Sequence, residues 1–312
     1  MSFINTVLLF CFFLLATPLI QAQVGVGTAT PDASAQLEMS SVTKGFLPPR
    51  MTSVQRDAIG SPATGLVIYC TNDAELQVYT GGTGWRNMQG ETVFSCGSPV
   101  TFIYRNASVT YGTVSSAGKC WLDRNLGATQ IATSSTDFQS YGDLFQWGRG
   151  DDGHQKIAWS SWSNGALSSS TTTLSSTDKP GNGNFITTSS QPYDWRSGQN
   201  ATLWQGVNGV NNPCPSGWRL PTVTELESER LSWSQSNSTG AFASPLKWSM
   251  PGTRSPTMGS TLSNTGSNGY IWSSTIFNTQ SRVLFFNSAS ANTATVSSLY
   301  RGEGANVRCI KD

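Results

Sequence analysis

Eleven tryptophans stand in a chain whose Asp, Glu, Lys and Arg together make up only 12% of the residues. Side chains of that size have to leave water, so these 312 residues must enclose a substantial apolar interior and are not disordered. The length allows roughly two domains. Ser, Thr, Asn and Gly fill much of the remainder, and they suit turns and solvated strand faces better than helices. A formal net charge of +1 supplies no cluster of Lys and Arg to neutralise phosphates, so nucleic acid is not an expected partner.

Residues 7–16 (VLLFCFFLLA) form a short apolar run, broken by Pro18 and followed by the small residue Ala22. The run is too short to span a bilayer comfortably and reads as a signal peptide over residues 1–22, cut ahead of Gln23. No Lys or Arg precedes it, so only the α-amino group supplies the positive end. Phe10 is too bulky to precede a lipidated cysteine, which argues against a lipoprotein site at Cys11. No later segment is apolar enough to cross a membrane. The mature chain is therefore expected to be secreted or held at the cell surface without spanning the membrane.

Of the six cysteines, Cys11 leaves with the signal, and Cys70, Cys96, Cys120, Cys214 and Cys309 remain. There is no CxxC pair and the sole histidine is His154, which disfavours a structural zinc site. In an oxidising compartment disulfides are the default, and the odd number leaves at least one thiol free or shared between chains.

Residues 23–95 carry short apolar alternations divided by turn residues. Residues 65–69 and 76–79 read as strands, and the Gly-rich turn 80–85 leads to a third. Residues 44–51 are broken by Pro48 and Pro49, and residues 52–59 fit one short helical turn. On Val24-Gly25-Val26-Gly27-Thr28, Pro31-Asp32-Ala33-Ser34-Ala35, and residues 45–51 and 65–69, this segment resembles an N-terminal module of bacterial surface proteins and phage-tail-fibre-like proteins. The resemblance implies a small β-rich stalk or head module and a homo-oligomer formed through it.

From Cys96 onward aromatics become dense and polar loops lengthen. Residues 160–177 read as a long surface loop and residues 234–240 as a second one. One helix is well signalled after Pro221: Thr222 and Glu225 fit a capping box, and Leu226 and Trp233 fall on one face. Glu225, Glu227 and Glu229 are read as a cap plus a solvated face in preference to a catalytic or metal-binding set.

Five strings follow in order: Gly118-Lys119-Cys120-Trp121-Leu122-Asp123-Arg124-Asn125-Leu126-Gly127-Ala128, Tyr141-Gly142-Asp143-Leu144-Phe145-Gln146-Trp147-Gly148-Arg149, Cys214-Pro215-Ser216-Gly217-Trp218-Arg219-Leu220-Pro221-Thr222, Gly269-Tyr270-Ile271-Trp272-Ser273-Ser274-Thr275 and Val307-Arg308-Cys309-Ile310-Lys311-Asp312. Together they resemble the Fibrobacter succinogenes major paralogous domain, of the C-type lectin-like superfamily. The resemblance covers residues 96–312 and implies an α+β fold, a C-type lectin-like domain with long loops. It also implies a Cys214–Cys309 bridge near the chain end. Closing a loop of about a hundred residues would contribute roughly 4–5 kcal/mol in the chain-entropy model and fasten a terminal strand. Cys96 and Cys120 flank a hairpin-like stretch at 100–114 and make a second candidate pair, leaving Cys70 as the odd thiol.

Catalysis finds little support. His154 lies in what reads as a solvated polar turn, and no Gly-x-Ser-x-Gly elbow accompanies it. Formylglycine-generating enzymes share the lectin-like fold but depend on site cysteines, which are not assignable here. Asp143, Asp151 and Asp152 suggest calcium, yet the Glu-Pro-Asn and Gln-Pro-Asp loops of calcium-dependent lectins are absent. Arg149-Gly150-Asp151 spells an integrin-type tripeptide but falls at the end of a family string. No catalytic residue, metal or cofactor is expected.

The C-terminal region carries the binding expectation. Residues 281–287 read as a strand, with Arg282, Leu284 and Phe286 on one face and Val283, Phe285 and Asn287 on the other. Both faces are partly apolar, so the strand is either buried on both sides or carries an exposed patch. The family pattern favours Arg-x-Leu-x-Phe as scaffold, with Trp272 and Cys309. The candidate ligand-binding residues are then Ile276, Phe277, Asn278, Gln280, Val283, Phe285, Asn287, Tyr300, Glu303 and Ala305, an adaptable mixture of aromatic and small polar side chains. Related lectin-like domains are targets of diversity-generating retroelements. The absence of Lys, Met and Trp from residues 276–306 permits that reading, while Gln280 and Glu303 depart from it. The leading expectation is metal-independent recognition of a protein or glycan. The alternatives are a structural component of a surface assembly and, least favoured, an enzyme of the formylglycine-generating type.

Overall fold

The computed structural model describes residues 23–288 and 295–312, so the expected signal peptide lies outside the described residues. Two compact units are present, one ending at Pro49 and the other running from Arg50 to Asp312. The first is a parallel ribbon of Val24–Val26 and Leu37–Met39, with Val24 opposite Leu37 and Val26 opposite Met39.

The second unit opens with helix α1 (Ser53–Asp57), whose Thr52 cap and Gln55 form a reciprocal capping box. Beside it Arg50–Met51, Val67–Cys70, Glu75–Tyr79 and Trp85–Asn87 form a four-stranded sheet. Its small core holds Ile68, Cys70 and Trp85. Arg56 is fully buried there and donates to Gln77 Oε1 at 2.7 Å and to the Phe94 carbonyl at 2.6 Å. Asp57 in turn accepts the Cys96 N–H at 2.8 Å, which ties this helix to the start of the C-terminal segment. Cys70 is a buried free thiol, and burial raises its pKa.

Beyond Cys96, Val100–Tyr104 and Ala107–Tyr111 make a hairpin. Thr113–Ser116 and Lys119–Leu122 make another, and the C-terminal strand Ile310–Lys311 lies between Lys119–Leu122 and Trp218–Arg219. Asn268–Phe277, Gln280–Asn287 and Thr295–Tyr300 form an antiparallel three-stranded sheet. Helix α2 (Val223–Leu231) carries the expected Thr222–Glu225 capping box, and α3 (Ser238–Ala243) is capped by Asn237. The polar stretch 234–240 therefore runs into a helix. Residues 160–177 are likewise not one loop, because Ile157–Ser161 and Asn164–Leu167 pair as a hairpin.

The α+β expectation is overturned. Strands take 32% of the described residues and helices 8%, so the fold is β-rich. The capping boxes start helices, but the longest among the described residues has nine residues, and the Ser-, Thr- and Gly-rich sequence around them continues as strand and turn.

The five ordered strings build the interior. Asn125 donates to the Tyr141 carbonyl at 3.2 Å and accepts from Arg308 Nε at 3.0 Å. Asn306 donates to the carbonyls of Tyr141 at 2.8 Å and Asp143 at 2.9 Å. The buried indoles are partnered as well: Trp147 donates to the Ser273 carbonyl, Trp272 to that of Phe145 and Trp195 to that of Trp147. Glu229 corrects the expected solvated helix face. It is fully buried and accepts from Ser116 Oγ at 2.6 Å, Trp233 Nε1 at 3.0 Å and Trp248 Nε1 at 3.2 Å.

Candidate interaction surfaces

Gln280–Asn287 is the middle strand of its sheet, and core covers both of its faces. Leu284 and Phe286 pack with Leu226, Trp233 and Trp248 on one side. Val283 packs with Trp147, Trp204 and Trp272 on the other. The expectation that Val283 points outward is therefore wrong, since its side chain is inaccessible and it pairs with Trp272 across the sheet. Ala305 is corrected for the same reason: it pairs with Phe145 in an interior sheet and is fully buried. Phe285, Asn287, Gln280, Tyr300 and Glu303 are half-buried. The Phe285 ring lies 5.1 Å from that of Tyr270, and Tyr300 meets Tyr193 at 4.9 Å. Only Ile276, Phe277 and Asn278 of the candidate set are exposed, at the hairpin tip where Asn278 takes a left-handed φ of 52°. Arg282 stacks over Phe277 at 3.7 Å.

His154 is also corrected, from a solvated turn to a fully buried position. Its Nε2 accepts the Gln146 N–H at 3.0 Å, so the ring is neutral and its Nδ1–H donates to Asp152 at 2.6 Å. Burial and the neighbouring Arg149 hold its pKa down to about 4, although Asp152 pulls it the other way. Arg149 is buried and bonded to Asp152, so the tripeptide at 149–151 does not present its arginine. Asp143 is spent on Tyr104, Arg105 and the Ile157 N–H. Asp151, Asp152 and Asp178 border a cavity of about 270 Å³, and each is bonded to protein groups: Gln155, Arg149 and Asn200, respectively. Glu225, which burial alone would raise, is pulled down to about 2 by Arg219 and the Thr222 N–H.

Among the described residues, no cation offsets the burial of Glu303. Burial pushes its carboxyl up to about 7, against one hydrogen bond from the Tyr300 N–H at 3.2 Å. A folded pKa above the unfolded value means that its contribution is full below about pH 4.5 and is lost as pH rises to about 7. Glu303→Gln keeps the accepting oxygen without the charge. It is expected to stabilise the fold by up to ~3 kcal/mol at pH 8 and by almost nothing at pH 4. Thermal unfolding at the two pH values checks this; an equal effect at both would show that ionisation of Glu303 is not the cause.

The first unit presents a different surface. In its ribbon Val24, Val26, Leu37 and Met39 are 54, 54, 55 and 47% exposed. The parallel register and period-two alternation put all four on one side. Gly25 and Glu38 point to the other side, which the connecting segment covers. A Cβ at Gly25 would lie 2.4 Å from the Thr28 carbonyl and 2.9 Å from Pro31, and Glu38 accepts the Asp32 N–H at 2.5 Å. Neither the alternation nor the composition revealed this bare face, because a parallel pairing has no local turn signal.

Residues 25–106 match the family described as a phage tail like trimerisation region. No curated protein and no solved structure matches the chain.

Proposed function

We propose that the protein is a structural subunit of an exported surface assembly, with an N-terminal trimerisation region that carries a disulfide-bonded, β-rich body. The observation that carries this reading is the match of residues 25–106 to a phage tail like trimerisation region, which supports self-association through the N-terminal part. Export rests on the apolar run at residues 7–16 and agrees with the bonds Cys96–Cys120 and Cys214–Cys309. No helix among the described residues is long and apolar enough to cross a membrane. In this reading the ordered strings resembling the major paralogous domain serve as scaffold for the body, which has no catalytic role. Ligand recognition is a second function of the same body, supported by exposed Ile276 and Phe277 at the hairpin tip.

Labelling of intact producing cells with antibody to the C-terminal body tests the assignment. Signal on unpermeabilised cells, with crosslinked chains recovered as trimers, is the expected result. A signal that appears only after permeabilisation would overturn it.

A further inference from the structure

We infer that the bare apolar face of the ribbon, formed by Val24, Val26, Leu37 and Met39, is where three copies of this chain close on one another. The inference rests on the trimeric reading and supplies the surface that such a reading requires. Among the described residues the ribbon has two strands, and a two-stranded sheet is at best marginal in water. Its covered side has a lining of Thr28 and Pro31, while its other side leaves four large apolar side chains about half exposed. Something must cover them for the ribbon to persist.

Three observations select further copies of the same chain as the cover. The four residues lie inside or next to the matched trimerisation region, which begins at residue 25. The face has no charged side chain, because Glu38 points to the covered side, so symmetric copies meeting on an axis bring no like charges together. The face is also small. A head-to-tail contact repeated around a closed ring lets each copy bury its face against two neighbours, where a single pairwise contact would leave part of it wet. The outer edges of both strands lie beside that face and can add backbone pairing between copies.

The test uses the full-length oxidised chain in sedimentation velocity. All eleven tryptophans lie beyond Pro49, so their fluorescence reports the fold of the second unit. The wild-type chain is expected as a three-chain species. Val26→Asp with Met39→Asp places charges on the common axis and should give single chains with unchanged tryptophan emission. The milder pair Val24→Ser and Leu37→Ser should raise the dissociation midpoint at least ~100-fold and covers the case in which the charged pair misfolds. Glu38→Gln, on the covered side, should leave the trimer intact. If wild type and both pairs are equally trimeric, this face is not the interface while the trimeric reading stands. If wild type is a single chain at every concentration, the trimeric reading fails and the inference fails with it.

Discussion

Replacing both Cys214 and Cys309 with serine is expected to cost about 4–5 kcal/mol of unfolding free energy. The bond spans a sequence separation of 95, so its removal returns a long loop to the unfolded ensemble. The native side suffers as well. Cys309 sits just before the strand Ile310–Lys311, which lies between two others, and its carbonyl accepts the Leu122 N–H at 3.0 Å. Arg308, next to it, is buried and donates to the carbonyls of Leu122 and Leu246. Cys96–Cys120 spans only 24 positions and should cost about 1 kcal/mol less on chain entropy alone. Urea unfolding of the two double-serine variants checks the order. A larger loss from the shorter loop would show that loop entropy does not rank these bonds.

Phe286→Ala is expected to destabilise by ~3–5 kcal/mol. The ring is wholly buried, meets Trp233 edge-on at 5.5 Å and lies over Gly269, where a Cβ would come within 2.1 Å of it. That contact explains why glycine opens the string at 269–275: any side chain there would displace the ring. Val283→Ala, on the opposite face, should cost roughly 1–3 kcal/mol because that face is core too. Phe277→Ala at the exposed tip should stay near ~0.5 kcal/mol. Chemical denaturation of the three variants decides the matter. Tolerance at Phe286 or at Val283 would mean that the strand is not enclosed on both sides.

The elements most legible in the sequence were those with local signals. Thr52 and Thr222 each precede a residue that can complete a capping box three positions on, and both helices start there. The alternations at 65–69 and 76–79 became paired strands, and the stretch at 100–114 became a hairpin. What escaped was decided by distant partners. Hydropathy marks His154 and Glu229 as polar, yet both are buried because Gln146, Asp152, Ser116 and two indoles satisfy them. The period of residues 281–287 could not distinguish an outer face from an inner one, since Val283 and Leu284 are equally apolar and both lie in core. The α+β expectation came from the resemblance of residues 96–312, and the short helices did not support it.

Native mass spectrometry of the protein isolated from its producing cells, without reductant, distinguishes a trimeric structural subunit from a chain that works alone. The expected result is a dominant species of three chains, each beginning near Gln23 and each holding two intramolecular disulfides. A protein recovered as single chains at every concentration, with no larger species after crosslinking, would contradict it.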